Sequence, residues 1–290
     1  MTRYTVAIDE SPAGWKTVEW VSTCVGQPTD SVRLLTVSEF YGEALTRSEQ
    51  RLHKAAAFLR KAHPDLVVEE DVTGGPTADR LVFDAGDGDV LVIGGNQVHR
   101  FLSALSGRVA ERVVAHAVTP VVVVPERWVA STGPVVVGVD SRTAASALAF
   151  AADVASQQGR RLVFVRAWEL PSVASPYGMV YLDTDRKLWE HESQLELDAA
   201  IRAVSRSHPD LVSRAEMRQG SPRHVMLRAA EEASLVVVGR RHRTAIGAFL
   251  LGSVGETLMH DGQTPVCIVP PLRVAAIRRE AVAQTTSRRA

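Results

Sequence analysis

Residues 264–270, Thr-Pro-Val-Cys-Ile-Val-Pro, repeat the pattern of residues 119–125, Thr-Pro-Val-Val-Val-Val-Pro. Residues 63–67, His-Pro-Asp-Leu-Val, recur as residues 208–212 at the same separation along the chain. A repeat of this length indicates two duplicated domains, because the units of solenoid proteins are shorter. We therefore expect one kind of domain to occur twice.

A third match shows where the two copies differ in length. Residues 6–9, Val-Ala-Ile-Asp, match residues 137–140, Val-Gly-Val-Asp, at a shorter separation than the other pairs. One insertion must therefore lie in the second copy. We place it in residues 168–189, where Pro171 and Gly178 are typical of a loop.

Each copy alternates short β-branched runs with longer amphipathic stretches. The strands are predicted at residues 4–8, 31–37, 67–72, 90–93 and 121–124, and at 134–139, 161–165, 212–217, 235–238 and 266–269. The helices are predicted at residues 15–23, 46–62, 77–84 and 107–115, and at 143–155, 188–205, 223–232 and 255–260. Continuous apolar strands separated by helices indicate a parallel sheet buried on both faces. The predicted fold is α/β, with two tandem, doubly wound, five-stranded, Rossmann-like domains.

The domain boundaries follow from the repeat. The N-terminal domain is expected at residues 1–127 and the C-terminal domain at residues 134–272. The polar, arginine-containing tail at residues 273–290 is expected to be disordered.

Composition restricts the function classes. Hydrophobic residues make up 46% and charged residues 23% of the chain, which is typical of a globular protein. Lys plus Arg number 33, and so do Asp plus Glu. The chain therefore has no positive net charge that would favour binding to nucleic acid. No apolar run approaches the roughly 18 residues of a membrane span, and the N-terminus lacks a signal-peptide pattern. We expect a cytoplasmic protein whose two cysteines, Cys24 and Cys267, are small core residues.

The loop after the fourth strand of the second copy has the composition of an anion site. Gly239 permits a sharp turn and a close approach of the backbone to a ligand. Gly252 and Ser253 open the next helix, whose unpaired N–H groups and dipole favour an anion. Arg240, Arg241 and Arg243 would add positive charge at the same place. The same residues also fit an ordinary strand-to-helix turn in which Ser253 caps the helix.

This loop carries a family resemblance. The strand ending in Asp140, the long loop from Gly239, the segment Gly252-Ser253-Val254 and the closing Thr-Pro-Val run resemble the universal stress protein family. The resemblance covers both copies, from about residue 4 to residue 271. The nucleotide-binding signature of that family is Gly, two residues, Gly, nine residues, then Gly-Ser or Gly-Thr.

The second copy departs from this signature at one position. Gly239, Gly252 and Ser253 are in register, but His242 occupies the position of the second glycine. Histidine adopts positive φ less readily than glycine, and its ring would take up space beside the phosphates. The ring could also donate a hydrogen bond to them, so we expect a modified site.

The first copy departs further. Gly94 and Gly107 are kept, whereas Gln97 and Arg108 replace the second glycine and the hydroxyl residue. We expect this copy to bind no nucleotide and to serve as a structural partner.

The resemblance implies a ligand and further contact residues. ATP, with or without Mg²⁺, would be held by the C-terminal domain. Asp140, beside Val139, would accept a hydrogen bond from the adenine base. Ala167 and Val238 would pack against the same base. Alternatively, Asp140 caps the helix that follows it.

Other chemistry has little support in the sequence. The histidines lack the paired spacing of a metal site, and no nucleophile–base pair or Gly-x-Ser-x-Gly motif occurs. We therefore expect no metal, no catalytic residues and no enzyme. The Asp183-Thr184-Asp185 segment is expected to be a solvated turn.

Three functions remain open at this point. The first is an ATP-linked stress regulator. The resemblance implies that its two copies form a pseudo-dimer, and residues 121–124 and 266–269 would be the pairing edges. In this interpretation ATP orders the 239–252 loop, a protein partner senses it, and whole chains form a homodimer. The second is a nucleotide-free scaffold for a protein partner. The third is an ATP-using enzyme whose second substrate would contact the insertion.

Overall fold

The computed structural model describes residues 2–38, 42–95, 107–170, 172–175, 178–181, 186–240 and 252–271. The N-terminal half contains β1 (Arg3–Ala7), α1 (Pro12–Cys24), β2 (Ser31–Val37), α2 (Glu43–Ala62), β3 (Val67–Thr73), α3 (Thr77–Asp84), β4 (Val90–Gly95), α4 (Gly107–His116) and β5 (Val121–Pro125). A single 3-10 turn, Ala85–Asp87, follows α3.

The C-terminal half repeats this order around one added hairpin. It contains β6 (Val135–Gly138), α5 (Ala145–Gln157), β7 (Leu162–Trp168), β8 (Ser172–Ser175), β9 (Gly178–Tyr181), α6 (Arg186–Ser207), β10 (Ser213–Gln219), α7 (Pro222–Ala230), β11 (Leu235–Gly239), α8 (Ser253–Asp261) and β12 (Val266–Val269). The predicted α/β class and order of elements are confirmed.

The two halves share one ten-stranded sheet. Its strand order is β10-β7-β6-β11-β12-β5-β4-β1-β2-β3, and the strands within each half are parallel. Each half therefore has the doubly wound order in which its first strand lies between its second and fourth. In such sheets, ligands bind where the strand order reverses, which here is between β1 and β4 and between β6 and β11.

The junction between the halves is the antiparallel pair β5–β12. Val122 pairs with Cys267, its own counterpart in the repeat, while Val121 pairs with Ile268 and Val123 with Val266. The pairing that the two closing apolar runs predicted is therefore confirmed within this chain. A pseudo-twofold axis passes through the Val122–Cys267 pair, because each strand meets its counterpart in the opposite direction.

Helices cover both faces of the sheet. The apolar cluster on one face includes residues of α1, α2, α5 and α6, and the cluster on the other face includes residues of α3, α4, α7 and α8. Both clusters run across the β5–β12 junction, so the halves share their core instead of burying two separate ones. Buried apolar area is the main stabilising term, and the two halves are therefore expected to unfold together.

Local sequence explains where the elements begin and pair. The Ser11 hydroxyl accepts a hydrogen bond from the Gly14 amide at 3.1 Å, and Pro12 fills the first turn of α1. Along β10, the alternating pattern at residues 212–217 predicted an edge strand, and β10 does form one edge of the sheet.

The insertion differs from its prediction. We expected residues 168–189 to be a loop, but β8 and β9 form a two-stranded antiparallel hairpin there, and Trp168 and Trp189 belong to β7 and α6. Proline and glycine are common in hairpins as well as in open loops. Composition alone therefore could not distinguish a hairpin from a loop in residues 168–189. The Asp183-Thr184-Asp185 segment and the 273–290 tail lie outside the described residues. Among the described residues, no helix combines the length and apolar composition that crossing a bilayer would need.

Candidate functional site

A cavity of about 90 Å³ lies beyond the carboxyl ends of β6, β7 and β11, and we call it the C-terminal crevice. Eight residues predicted from the sequence line it: Val139, Asp140, Ala167, Val238, Gly239, Arg240, Gly252 and Val254. They converge because the carboxyl ends of parallel strands meet at one edge of the sheet. Ser253 lies between two of them and is exposed.

Asp140 is the one carboxylate among the described residues that line the C-terminal crevice. It follows β6 by two residues, and its Oδ1 accepts hydrogen bonds from the Arg142 amide at 2.9 Å and the Thr143 hydroxyl at 3.1 Å. The Thr143 hydroxyl in turn accepts one from the Asp140 amide at 2.7 Å. The alternative prediction, that Asp140 caps α5, is wrong because Ala144 is the N-cap residue there and makes no side-chain cap. These bonds fix the carboxylate at the crevice mouth.

The first turn of α8 lines the crevice through Gly252, Val254 and Gly255. Gly252 is the N-cap residue with an extended conformation, and the described residues supply no side-chain cap. Ser253 is therefore the first helical residue, and it does not cap α8 through its hydroxyl. The unpaired N–H groups of such a turn, together with the helix dipole, favour an anion.

Arg240 also makes contacts that were not predicted. We expected it to add charge beside a phosphate, and it lines the C-terminal crevice, but its Nη1 donates to the carbonyl oxygens of Val114 at 2.8 Å and Ala117 at 2.7 Å. Both carbonyls lie at the C-terminal end of α4, in the other half. Burial lowers the pKa of Arg240 to about 10, so the guanidinium remains charged at neutral pH.

The apolar side of the crevice is built from three strands and one helix. Val139, Ala167 and Val238 are buried, and the Val139 amide donates to the Val165 carbonyl at 2.9 Å, which extends the pairing of β6 with β7. Met226 of α7 completes this side. The sequence analysis missed Met226, and the position of a helix face against the crevice leaves no signal in local spacing.

Two arginines near the crevice were also missed. Arg142 is exposed at the mouth, two residues after Asp140. Arg166 lines the crevice too, but its Nε lies 2.7 Å from the Glu196 carboxylate of α6. Because Arg166 is already paired, Arg142 is the better placed of the two to meet an added anion.

The space around the glycine that ends the fourth strand differs between the two copies. A Cβ on Gly94 would lie 2.9 Å from the carbonyl carbon of Ala13 in α1, so only glycine fits the strand–helix contact there. A Cβ on its counterpart Gly239 would lie 3.8 Å from the nearest described atoms, which belong to Ala144 and Ala147. Helix packing therefore requires glycine at residue 94 and leaves room for a methyl group at residue 239.

Several predicted positions cannot be placed. Arg241, His242, Arg243 and Gln97 lie outside the described residues. Gly107 begins α4, as the repeat predicted from Gly252 and α8.

The N-terminal half has its own cavity at the equivalent edge, and we call it the N-terminal crevice. Its volume is about 290 Å³, and it lies beyond the carboxyl ends of β1, β2 and β4. Asp9, the counterpart of Asp140, lines it together with Ser11. The copy with the more degenerate loop therefore holds the larger cavity between described residues.

Comparison with known proteins agrees with this architecture. The fold and its paired crevices define a tandem, doubly wound α/β protein. The universal stress protein family profile matches residues 1–125 and 132–270, and the chain belongs to that family.

Relatives and solved structures cover nearly the whole chain. Universal stress protein Rv2623 of Mycobacterium tuberculosis H37Rv is 26% identical over 288 residues, covering 91% of this chain and 94% of that protein. A functionally unknown protein, PA1789 of Pseudomonas aeruginosa PAO1, has a TM-score of 0.68 at 14% identity, with 98% of both chains covered. A universal stress protein of Archaeoglobus fulgidus DSM 4304 has a TM-score of 0.64 at 16% identity, covering 92% of this chain and 98% of that one. At these identities the structures show the fold alone.

Proposed function

We propose that this universal stress protein is a regulator that binds ATP in the C-terminal crevice and passes the bound state to a protein partner without catalysing a reaction. The observation that carries the proposal is the convergence of Asp140, Ala167, Val238, Gly239 and Gly252 around one cavity at the reversal of strand order. That is the general ligand position of doubly wound sheets.

Each wall of the crevice suits one part of a nucleotide. The buried apolar side at Val139, Ala167 and Val238 would receive the base, with the Asp140 carboxylate accepting from its amine. The first turn of α8 would receive the phosphates, with Ser253 exposed beside it. Mg²⁺ would be held mainly by the phosphates, because Asp140 is the one carboxylate among the described lining residues.

The size of the crevice makes conformational change part of the proposal. About 90 Å³ between the described residues is well below the roughly 300 Å³ at which ligand pockets usually begin. ATP would therefore select or induce a conformation with a wider crevice. It can shift the equilibrium between the narrow and wide conformations only by the difference in its affinity for the two.

The same small volume favours a second candidate, a nucleotide-free scaffold whose two halves recognise a protein partner. Under this alternative, Gly239 and Gly252 serve only a strand-to-helix turn. The room beside Gly239 counts against it, because packing there does not demand glycine.

Calorimetric titration of the nucleotide-stripped full chain with ATP and Mg²⁺ tests the proposal. Gly252→Asp places a carboxylate where a phosphate would sit, and the extended conformation of residue 252 suits aspartate as an N-cap. The variant should therefore fold normally and lose binding. Gly107→Asp is the matched control in the N-terminal half.

We expect one site per chain, lost in Gly252→Asp and kept in Gly107→Asp. Thermal unfolding of each variant confirms that the fold is retained. A protein that gives no binding heat and carries no nucleotide after purification would instead support the scaffold.

A further inference from the structure

The exposed side of α6 differs from that of α2, its counterpart in the repeat. The two helices are aligned by the separation between the two His-Pro-Asp-Leu-Val segments that follow them. In this alignment their buried residues coincide: Ser48 with Ser193, Leu52 with Leu197, Ala55 with Ala200 and Leu59 with Val204. Both helices therefore turn the same side toward the sheet, and α2 is an internal reference for the exposed side of α6.

The exposed side of α6 carries apolar residues where α2 carries polar ones. Leu188, Leu195 and Ala199 are exposed, and the two leucines keep 53% and 50% of their surface accessible. Their counterparts in α2 are Glu43, Gln50 and Lys54. A single exposed leucine is ordinary on a protein surface. Apolar residues in one row, on a helix side that the other copy keeps polar, indicate a contact surface.

The apolar residues belong to a longer row that has the spacing of a coiled-coil seam. Its six exposed members follow one another at intervals of four and three residues in alternation: Leu188, Glu192, Leu195, Ala199, Arg202 and Arg206. This alternation keeps side chains on one stripe of a helix and is the pattern of the core positions of coiled coils. We call these six residues the α6 seam.

The charges of the α6 seam differ between its two ends. Glu192 lies in the N-terminal part of α6, whereas Arg202 and Arg206 lie near its C-terminal end. Two copies of the seam in parallel would place each charge against itself, which is repulsive. Two copies in antiparallel orientation, related by a twofold axis level with Leu197, would instead place Glu192 of each chain against Arg202 of the other.

The same antiparallel register matches the apolar members of the α6 seam. Leu195 of each chain would meet Ala199 of the other, and Leu188 would lie along the aliphatic stem of Arg206. Every layer of the contact is then either apolar or joins opposite charges. Such a contact closes on two chains, because both use the same surface.

We propose that the α6 seam is the surface through which two copies of this chain form an antiparallel homodimer. One helix from each chain is a small interface, so the dimer exchanges with monomers. Added salt weakens it by screening the layers of Glu192 with Arg202. The contact is separate from ATP binding, because none of the six seam residues is among the described residues that line either crevice.

Sedimentation equilibrium of the full chain over a concentration series measures the dissociation constant of the dimer. Leu195→Glu replaces both symmetry-related leucines of the contact with charges and should weaken the dimer at least tenfold. Gln50→Glu places the same residue at the matched position of α2 and should leave the dissociation constant unchanged. Both positions are exposed, and thermal unfolding shows that each variant is folded.

Charge reversal tests the antiparallel orientation. Glu192→Arg and Arg202→Glu each make both charged layers repulsive, so each variant alone should dimerise at least tenfold more weakly than the unmodified chain. An equimolar mixture of the two variants should dimerise again, because each charged layer of the mixed dimer joins opposite charges. In a parallel dimer, neither reversal would weaken the contact, since each charge already faces its own kind.

A chain that is still monomeric at about 1 mM would overturn the proposed dimer. Equal dissociation constants for Leu195→Glu and Gln50→Glu would show that a dimer forms through another surface. Single reversals that dimerise as tightly as the unmodified chain, or a mixture that dimerises no better than its components, would overturn the antiparallel seam.

Discussion

The guanidinium of Arg240 donates to the carbonyl oxygen of Val114 at 2.8 Å, across the boundary between the two halves. A second bond from the same nitrogen reaches the Ala117 carbonyl at 2.7 Å. Carbonyls at the end of a helix have no partner within the helix, and a cation there also meets the negative end of its dipole. The residue directly after β11 thereby anchors α4, which begins at the other crevice.

Replacing Arg240 with methionine should destabilise the protein by about 3 kcal/mol, because two charge-assisted hydrogen bonds are lost and buried carbonyls are left without partners. Urea unfolding of the two proteins measures the difference. Arg228→Met is the matched control, since that side chain is 76% exposed and should change stability by less than about 0.5 kcal/mol. Equal effects from both substitutions would show that the Arg240 bonds contribute nothing specific.

An isolated N-terminal half should form a homodimer. In a fragment of residues 1–131, the apolar β5 edge loses β12, and exposed edges of this kind pair with other strands. Because Val122 pairs with its repeat counterpart Cys267 in an antiparallel junction, two copies of β5 can pair in the same geometry. Light scattering after size exclusion gives the mass. A folded fragment that stays monomeric as its concentration rises would contradict the prediction.

Alkaline pH should weaken the fold partly through Cys24, the pKa of which burial raises to about 12. The unfolded thiol ionises near its ordinary value of 9.0, so the folded state is disfavoured as pH rises above 9. Between pH 8 and pH 10 this group alone should destabilise the fold by about 1 kcal/mol.

Urea unfolding at pH 8 and pH 10 isolates that contribution when Cys24→Ala is compared with the unmodified chain. Burial also raises the pKa of Cys267, but it remains in both proteins. The substitution should therefore reduce the loss of stability between pH 8 and pH 10 by about 1 kcal/mol. An unchanged dependence would mean that Cys24 ionises in the folded protein as it does in the unfolded one.

The repeat made much of the fold predictable. Residues 121–124 and 266–269 were predicted as pairing edges between the two copies, and β5 and β12 do pair there. Asp140 follows a buried parallel strand and Gly252 opens a helix after another one, and such positions share one edge of a doubly wound sheet. Both residues line the C-terminal crevice, as expected from those positions.

Side-chain contacts between the halves were not predictable in this way. An arginine after Gly239 fits a phosphate loop as well as a helix end in the other half, and only the fold shows that the Arg240 guanidinium donates to that helix end. Met259 and His260 lie at the end of α8, and nothing in local spacing indicates that they meet the crevice of another domain. The β8–β9 hairpin was not predicted, because the proline and glycine content of residues 168–189 is also typical of loops.

The two strand-end glycines should respond differently to a methyl group. Gly94→Ala should destabilise by roughly 1–3 kcal/mol, since the new Cβ would press on the Ala13 backbone at 2.9 Å. Gly239→Ala should be close to neutral for stability, yet it should weaken ATP binding if bare backbone there faces the ligand. Unfolding and calorimetry on both variants check this. Equal destabilisation would show that residue 239 also needs glycine for packing.

Hydrogen exchange should follow ATP binding along the whole of α8. Gly252 and Val254 at its start line the C-terminal crevice, whereas Met259 and His260 at its end line the N-terminal crevice. A ligand that orders the first turn should therefore raise protection through to Asp261. Because His260 contacts Glu111 at 3.0 Å, protection should also rise in α4. Mass spectrometry of peptides covering residues 253–261 and 107–116 measures both.

Glu111→Ala separates the two steps of that transmission. Removing the carboxylate eliminates the side-chain contact with His260 and leaves the C-terminal crevice untouched. ATP should then still protect α8, while the additional protection of α4 should be reduced. If α4 responds equally in both proteins, the signal crosses the junction by another route, and the buried Arg240 bonds to Val114 and Ala117 are the alternative connection that Arg240→Met would test. If protection ends within the first turn of α8, the two crevices are not coupled through that helix.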